Sequence, residues 1–147
     1  MNYRYPTIDQ VRAAHEKTIE VSGGGLLGTH DLGRLESVLQ NIQNDDYYPT
    51  FDGKLTHLFF SACKFHCFQD GNKRIAIVLC AEMLLINGYL RSVTGFIHAA
   101  ENISYHVAAG NIQKDLLGEW MQAILCGLDD DEELKLKILH AISVGCP

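Results

Sequence analysis

The chain has 147 residues, 47% of them hydrophobic, and a formal net charge of −6, which supplies one compact core and about one domain by length and excludes a broad electrostatic footprint for DNA or RNA, leaving room only for a local basic pocket. Five cysteines, Cys63, Cys67, Cys80, Cys126 and Cys146, form an odd set without a CxxC pair and are expected as reduced thiols of a cytoplasmic protein. The opening MNYRYPTIDQ lacks an apolar signal core and the longest apolar run, residues 75–86, is too short for a bilayer, so neither secretion nor membrane insertion is expected.

In chain order, residues 7–21 place Ile8, Val11, Ala14 or His15, and Ile19 at helical spacing behind Pro6. The run Ser22-Gly23-Gly24-Gly25 ends that helix. A second helix fits residues 31–40, with Asp31 as N-cap and Leu32, Leu35, Val38 and Leu39 on one face. The polar, turn-rich stretch 41–53 reads as an exposed flap. From Lys54 the pattern Leu55, Leu58, Phe59, Ala62, Phe65 returns to a period near 3.6 and delivers His66 into the linker CFQDG.

A buried helix then runs over residues 72–86, with Glu82 its one charged residue after Arg74, and Asn87-Gly88 closes it, Gly at the position just past the helix being the usual left-handed stop. Residues 97–109 and 112–126 have helical apolar spacing, with Trp120 an apolar anchor in the second. The last helix, about 130–143, starts with an acidic run and carries Lys135, Lys137 and His140 later, matching the helix dipole at both ends. The fold class expected is all-α, in a single domain over 1–147.

One helix start breaks the dipole rule. The stretch HCFQDGNKR ends in Asn72-Lys73-Arg74, yet the unpaired N–H groups of a first turn already make that end electropositive. Two cations there become favourable once an anion of several oxygens occupies the site, with Arg74 able to grip two oxygens at once. Gly71, having no Cβ, lets the backbone approach that anion closely. Asp70 brings a carboxylate to the same mouth, where magnesium could bridge it to phosphates. His66 supplies a base of near-neutral pKa, and Phe68 is read as the inward anchor of the loop. Any one of these residues alone would be read as an ordinary turn or cap. Their joint pattern describes transfer of a phosphate-containing group to a protein hydroxyl.

The nine residues HCFQDGNKR closely resemble the signature of the Fic/Doc proteins, roughly His-x-Phe-x-Asp-(Gly or Ala)-Asn-(Gly or Lys)-Arg. The flank SGGGLLGTHDLGRLESVLQ resembles the Doc-type Gly-Gly-x-x-Gly-x-x-Asp segment with its Leu-Glu-Ser helix, and INGY closes the motif helix as in that family. The resemblance covers about residues 8–125, and Lys73, where Fic adenylyltransferases carry Gly, is similar to the death-on-curing (Doc) branch. It implies a compact all-helical fold with a central motif helix and a short flap loop or hairpin, and a bacterial or phage toxin paired with an antitoxin. It further implies ATP and Mg2+, with His66 as base, Asp70 on the metal and Asn72, Lys73 and Arg74 on the phosphates. Fic relatives transfer AMP to a hydroxyl side chain, whereas Doc phosphorylates elongation factor Tu and stops translation. Because Lys73 would crowd the α-phosphate place of Fic enzymes, a reversed nucleotide presenting its γ-phosphate is expected. His30 departs from the Arg that most Doc-like relatives carry there. No self-blocking Ser/Thr-x-x-x-Glu-Gly/Asn segment is present, so repression is expected from a separate antitoxin.

Other patterns are weaker. Gly23-Gly24-Gly25-Leu26-Leu27-Gly28-Thr29-His30 misses a P-loop, with Thr29 in place of the essential Lys. Cys63, His66 and Cys67 lack a second ligand pair for zinc. His15, His57, His98, His106 and His140 are scattered singly and read as ordinary. Tyr47 and Tyr48, in the flap, are candidates for docking a target chain. Against the enzyme stand two bland readings, an inactive nucleotide-binding module and a plain helical interaction domain.

Overall fold

The computed structural model describes residues 3–21, 32–64 and 72–145. Among them the chain forms seven helices and no strand: α1 (Ile8–Val21), α2 (Leu32–Asn41), α3 (Phe51–Lys64), α4 (Asn72–Ile86), α5 (Leu90–Ala108), α6 (Lys114–Cys126) and α7 (Glu132–Gly145). The all-α expectation holds. The glycine run 22–25, His30, the Asp31 cap, Cys67 and Cys146 lie outside the described residues.

Local chemistry explains most of the helix starts. Thr7 caps α1 reciprocally with Gln10: the Gln10 N–H donates to Thr7 Oγ1 at 3.2 Å and the Thr7 N–H donates to Gln10 Oε1 at 2.8 Å, a capping box. Asp131 caps α7 by accepting from the Leu134 N–H at 3.0 Å. Residues 51–53, expected at the end of the flap, instead open α3. The reason is Thr50, whose Oγ1 accepts from the Gly53 N–H at 3.2 Å and so satisfies a first-turn donor. Residues 42–50 between α2 and α3 form turns. The helix expected over 97–109 begins at Leu90, seven residues earlier, its weakly periodic first turns held by tertiary packing; at Gly95 a Cβ would stand 3.1 Å from Asp129 Oδ2. α6 begins at Lys114 rather than 112; Ile112 and Leu117 flank its start, both buried, at the spacing of a hydrophobic staple.

The core sits where α3 and α4 pack on each other and α5 and α6 cover them. Cys80 of α4 reaches the Leu55 carbonyl of α3 at 3.7 Å, one of the contacts that pack the two helices together. Leu58, Phe59, Leu79, Met83, Leu84, Phe96 and Leu117 are fully buried, each contributing roughly 1.5–3 kcal/mol of transfer free energy. Phe59 meets Phe96 edge-on at 5.9 Å, and Trp120 closes the group 5.5 Å from Phe96. α1 lies on α4, α2 on α3, and α7 on α6. Cys63 and Cys80 are buried and Cys126 is exposed, none of the three in a disulfide. No helix among the described residues is long and apolar enough to cross a membrane.

α4 ends as its sequence predicts. Gly88 adopts φ 86°, the Tyr89 N–H donates to the Leu84 carbonyl at 2.8 Å and the Gly88 N–H to the Leu85 carbonyl at 3.2 Å, a Schellman stop. The Asn87 side chain then pairs with the N-terminal strap: its Oδ1 accepts from the Arg4 N–H at 2.8 Å and its Nδ2 donates to the Arg4 carbonyl at 3.0 Å. The strap lays Tyr3 on Phe51, which stacks in turn on Tyr89, both at 4.8 Å.

Beneath the strap lies a fully buried lysine. Lys54 Nζ donates to the Ile42 carbonyl and to Asp45 Oδ1 at 2.7 Å, and stands 5.8 Å and 5.7 Å from the Tyr3 and Tyr5 rings, within cation–π range. Burial acts to lower its pKa, but the bonds to Asp45 and Tyr5 outweigh that and leave it raised. This one amine ties the strap and the 42–50 turns to α3. Lys54→Ala should therefore cost about 2–4 kcal/mol in urea denaturation, because it leaves a cavity and orphans the Ile42 carbonyl. Asp45→Asn, on a residue whose side chain is 68% exposed, should cost clearly less; equal losses would contradict the assignment.

Candidate functional site

The motif segment 66–74 joins the C-terminal end of α3 to the start of α4. His66, Phe68, Asp70 and Gly71 lie outside the described residues, as do the side chains of Asn72 and Lys73. What the structure does place is the helix that carries the motif. α4 begins at Asn72 with no acidic residue in its first turn, whereas α7 begins with Glu132 and Glu133. The first-turn N–H groups and Arg74 therefore set up an electropositive end that no first-turn carboxylate of α4 neutralises.

Just beyond Arg74 the helix becomes a buried shaft. Ile75 is 1% exposed and Ala76, Leu79, Cys80, Met83 and Leu84 are all at 0%, so the position of Arg74 is fixed by packing rather than by a loop. Glu82, half-buried on the same helix, has its carboxyl pKa raised by desolvation. Arg74 itself is exposed and lines the mouth of a cavity of about 560 Å3, within the range of small-molecule sites. Ile77 and Val78 of α4 form one wall of this cavity, and Ile97, Glu101, Ser104 and Tyr105 of α5 form the other. Ser104 Oγ is turned back onto the Glu101 carbonyl at 2.8 Å, and the Tyr105 ring stands edge-on to His106 at 5.1 Å. The arrangement offers a cation for a phosphate at one end and a mixed apolar and carboxylate-bearing groove beside it.

The α5 wall is what sequence reading missed. Ile97 and Tyr105, 52% and 56% exposed, were a signal in principle, since large apolar side chains kept outward on a helix often mark a binding surface. His57 and His106 are likewise not idle. His106 Nδ1 is 2.9 Å from Asn111 Nδ2.

Of the two flap tyrosines, Tyr47 is 78% exposed. Tyr48 is occupied within the fold, stacked on His57 at 4.7 Å. Lys114 Nζ lies 2.8 Å from His57 Nδ1 and 6.0 Å from the Tyr48 ring, so the amine clips the 42–50 turns to α3 and α6. This clip stands level with His57, about 10 Å of helix short of Lys64, and hence away from the motif end of α3.

The sequence profile of the Fic/DOC family matches residues 5–84, from the strap to the last turn of α4. The chain belongs to the Fic/DOC family. The match contains the whole motif segment and α4 as far as Leu84. No curated protein matches the chain. Fic/DOC proteins generally transfer nucleotide-derived groups to proteins, typically with ATP and Mg2+. An exposed arginine at a helix start without a first-turn carboxylate, beside a cavity, suits the phosphates of such a nucleotide.

His57 gives a test of the clip. Burial first, and then the Lys114 charge, pull its pKa down to about 4. An unfolded histidine titrates near 6.5, so below that pH the unfolded chain binds a proton that the folded chain refuses. The contribution to stability is therefore present above pH 6.5 and is lost as pH falls toward about 4. His57→Phe, which keeps a ring for Tyr48, should make the fall in Tm between pH 6.5 and roughly 5 shallower, above the range where carboxylates titrate. An unchanged slope would mean that His57 is not held neutral.

Proposed function

We propose that this chain acts as a single Fic/DOC domain and as a Doc-like toxin of a toxin–antitoxin pair, transferring a phosphoryl group from ATP to a hydroxyl side chain of a cytoplasmic translation factor such as elongation factor Tu. The observation that carries the nucleotide reading is Arg74, exposed at the head of a buried helix that has no first-turn carboxylate, at the mouth of the α4–α5 cavity. What favours phosphoryl over AMP transfer is Lys73, whose length and charge would crowd an α-phosphate held as in Gly-bearing relatives and turn the nucleotide to present its γ-phosphate.

In this reading the first-turn amides of α4 with Gly71, Asn72, Lys73 and Arg74 cradle the phosphates. Magnesium held by Asp70 would neutralise charge building up on the phosphate oxygens. His66 accepts the proton of the target hydroxyl, whose oxygen bonds to the γ-phosphorus while the bond to the β-phosphate oxygen breaks and ADP leaves. Control would come from a separate antitoxin chain. Neither nucleic acid nor a membrane has a part in it.

The test is transfer in a bacterial lysate from ATP labelled at either end. A γ-label should appear on a protein and an α-label should not; the opposite result would make the chain an adenylyltransferase. His66→Ala should abolish transfer by at least about 100-fold, the low end of what a positioned general base contributes. No label from either nucleotide, with growth inhibition unchanged in His66→Ala, would leave an inactive binding module or a plain interaction domain.

A further inference from the structure

The Lys114–His57–Tyr48 clip lies outside the motif and has no part in the proposed transfer. Its amine differs from most of the described lysines in having an imidazole nitrogen as its hydrogen-bond partner. Lys135 and Lys137 pair with Asp130 at 2.9 Å and Glu119 at 2.8 Å, and those carboxylates raise their pKa values. Lys54 is fully buried. Lys114 is exposed, yet among the described residues it forms no ion pair. Its Nζ lies 2.8 Å from His57 Nδ1, a contact in which a protonated amine donates to a ring nitrogen that carries no proton. The Tyr48 ring beneath both groups and their position between two helices remove part of their water, and desolvation lowers the Lys114 pKa.

We propose that Lys114 is a modification site: a nucleophilic lysine that, with His57 as proton acceptor, takes an acyl group from small activated donors such as acyl phosphates. The neutral amine attacks the carbonyl carbon, a nitrogen–carbon bond forms, and the carbon–oxygen bond to phosphate breaks, the phosphate leaving with the electron pair. The proton released from the attacking nitrogen passes to His57 Nδ1 across the existing 2.8 Å contact and then to solvent. The nitrogen becomes strongly acidic once bonded to the carbonyl carbon, so a weakly basic imidazole suffices. The product amide carries no charge for the Tyr48 ring, so acylation removes the cation–π contact between α6 and the 42–50 turns and leaves the Tyr48–His57 stack and the Lys54 bonds to α3 in place. This inference is independent of the transfer reaction proposed above.

The full chain would be treated with acetyl phosphate near neutral pH and each lysine followed by peptide mass spectrometry. Lys114 should acetylate severalfold faster than Lys135 and Lys137, whose amines are held protonated by Asp130 and Glu119, whereas Lys114 has an imidazole nitrogen beside it. His57→Phe should bring the Lys114 rate down toward theirs. Equal rates for the three lysines in the unaltered protein, a comparison that needs no variant, would overturn the proposal, as would a Lys114 rate untouched by His57→Phe.

Discussion

Two cations at the positive end of a helix repel the dipole they sit on, and the rest of this structure is arranged around that conflict. Helix α4 could have begun with Asp or Glu, as α7 does, and gained a few tenths of a kcal/mol or more. It begins instead with Asn72, Lys73 and Arg74, and so has no carboxylate in its first turn. An anion with several oxygens converts the repulsion into attraction, with helix amides and guanidinium acting on the same ligand.

Holding such an end in place is a packing problem. The shaft of α4 behind Arg74 is buried against α1, α3 and α5, its far end is stopped at Gly88, and Asn87 fastens it to the strap. Lys54 ties the strap and the turns after α2 to the foot of α3, the helix whose other end leads into the motif. The end of α4 that carries Arg74 is thus held by contacts at the helix's far end, about 20 Å away. Two polar clusters remote from the motif, Lys54 with its tyrosines and Lys114 with His57, both fasten the 42–50 turns.

Much of this was legible in the sequence, and the parts that were not share a cause. Helices with a sustained apolar period, such as α4 and α6, and stops such as Asn87-Gly88 are local properties and were read correctly. The start of α3 was placed late because NDDYYPTFDG looks uniformly turn-like, and only the geometry of Thr50 decides where the helix begins. The first turns of α5 carry Arg91, Ser92, Thr94 and Gly95 and have little period of their own. A lysine at position 54 reads as surface, yet its partners come from the strap and from turns up to twelve residues upstream of it. His57 and Lys114 are 57 residues apart, and neither position hints at the other. The α5 wall of the cavity is a product of helix packing, which a one-dimensional pattern does not carry. The motif itself was the reverse case: nine contiguous residues whose charge pattern contradicted the helix rule, and so pointed to a ligand without any knowledge of the fold.

The central claim is that the head of α4 binds phosphate through its cations, and calorimetric titration of ATP with magnesium into the unaltered protein and into Lys73→Gln/Arg74→Gln tests it most directly. The account predicts saturable binding that weakens roughly 10- to 100-fold in the double variant, the loss carried by one or two charge-assisted bonds. Equal affinity in the two proteins would contradict it, because the nucleotide would then be held without the two cations of this helix start.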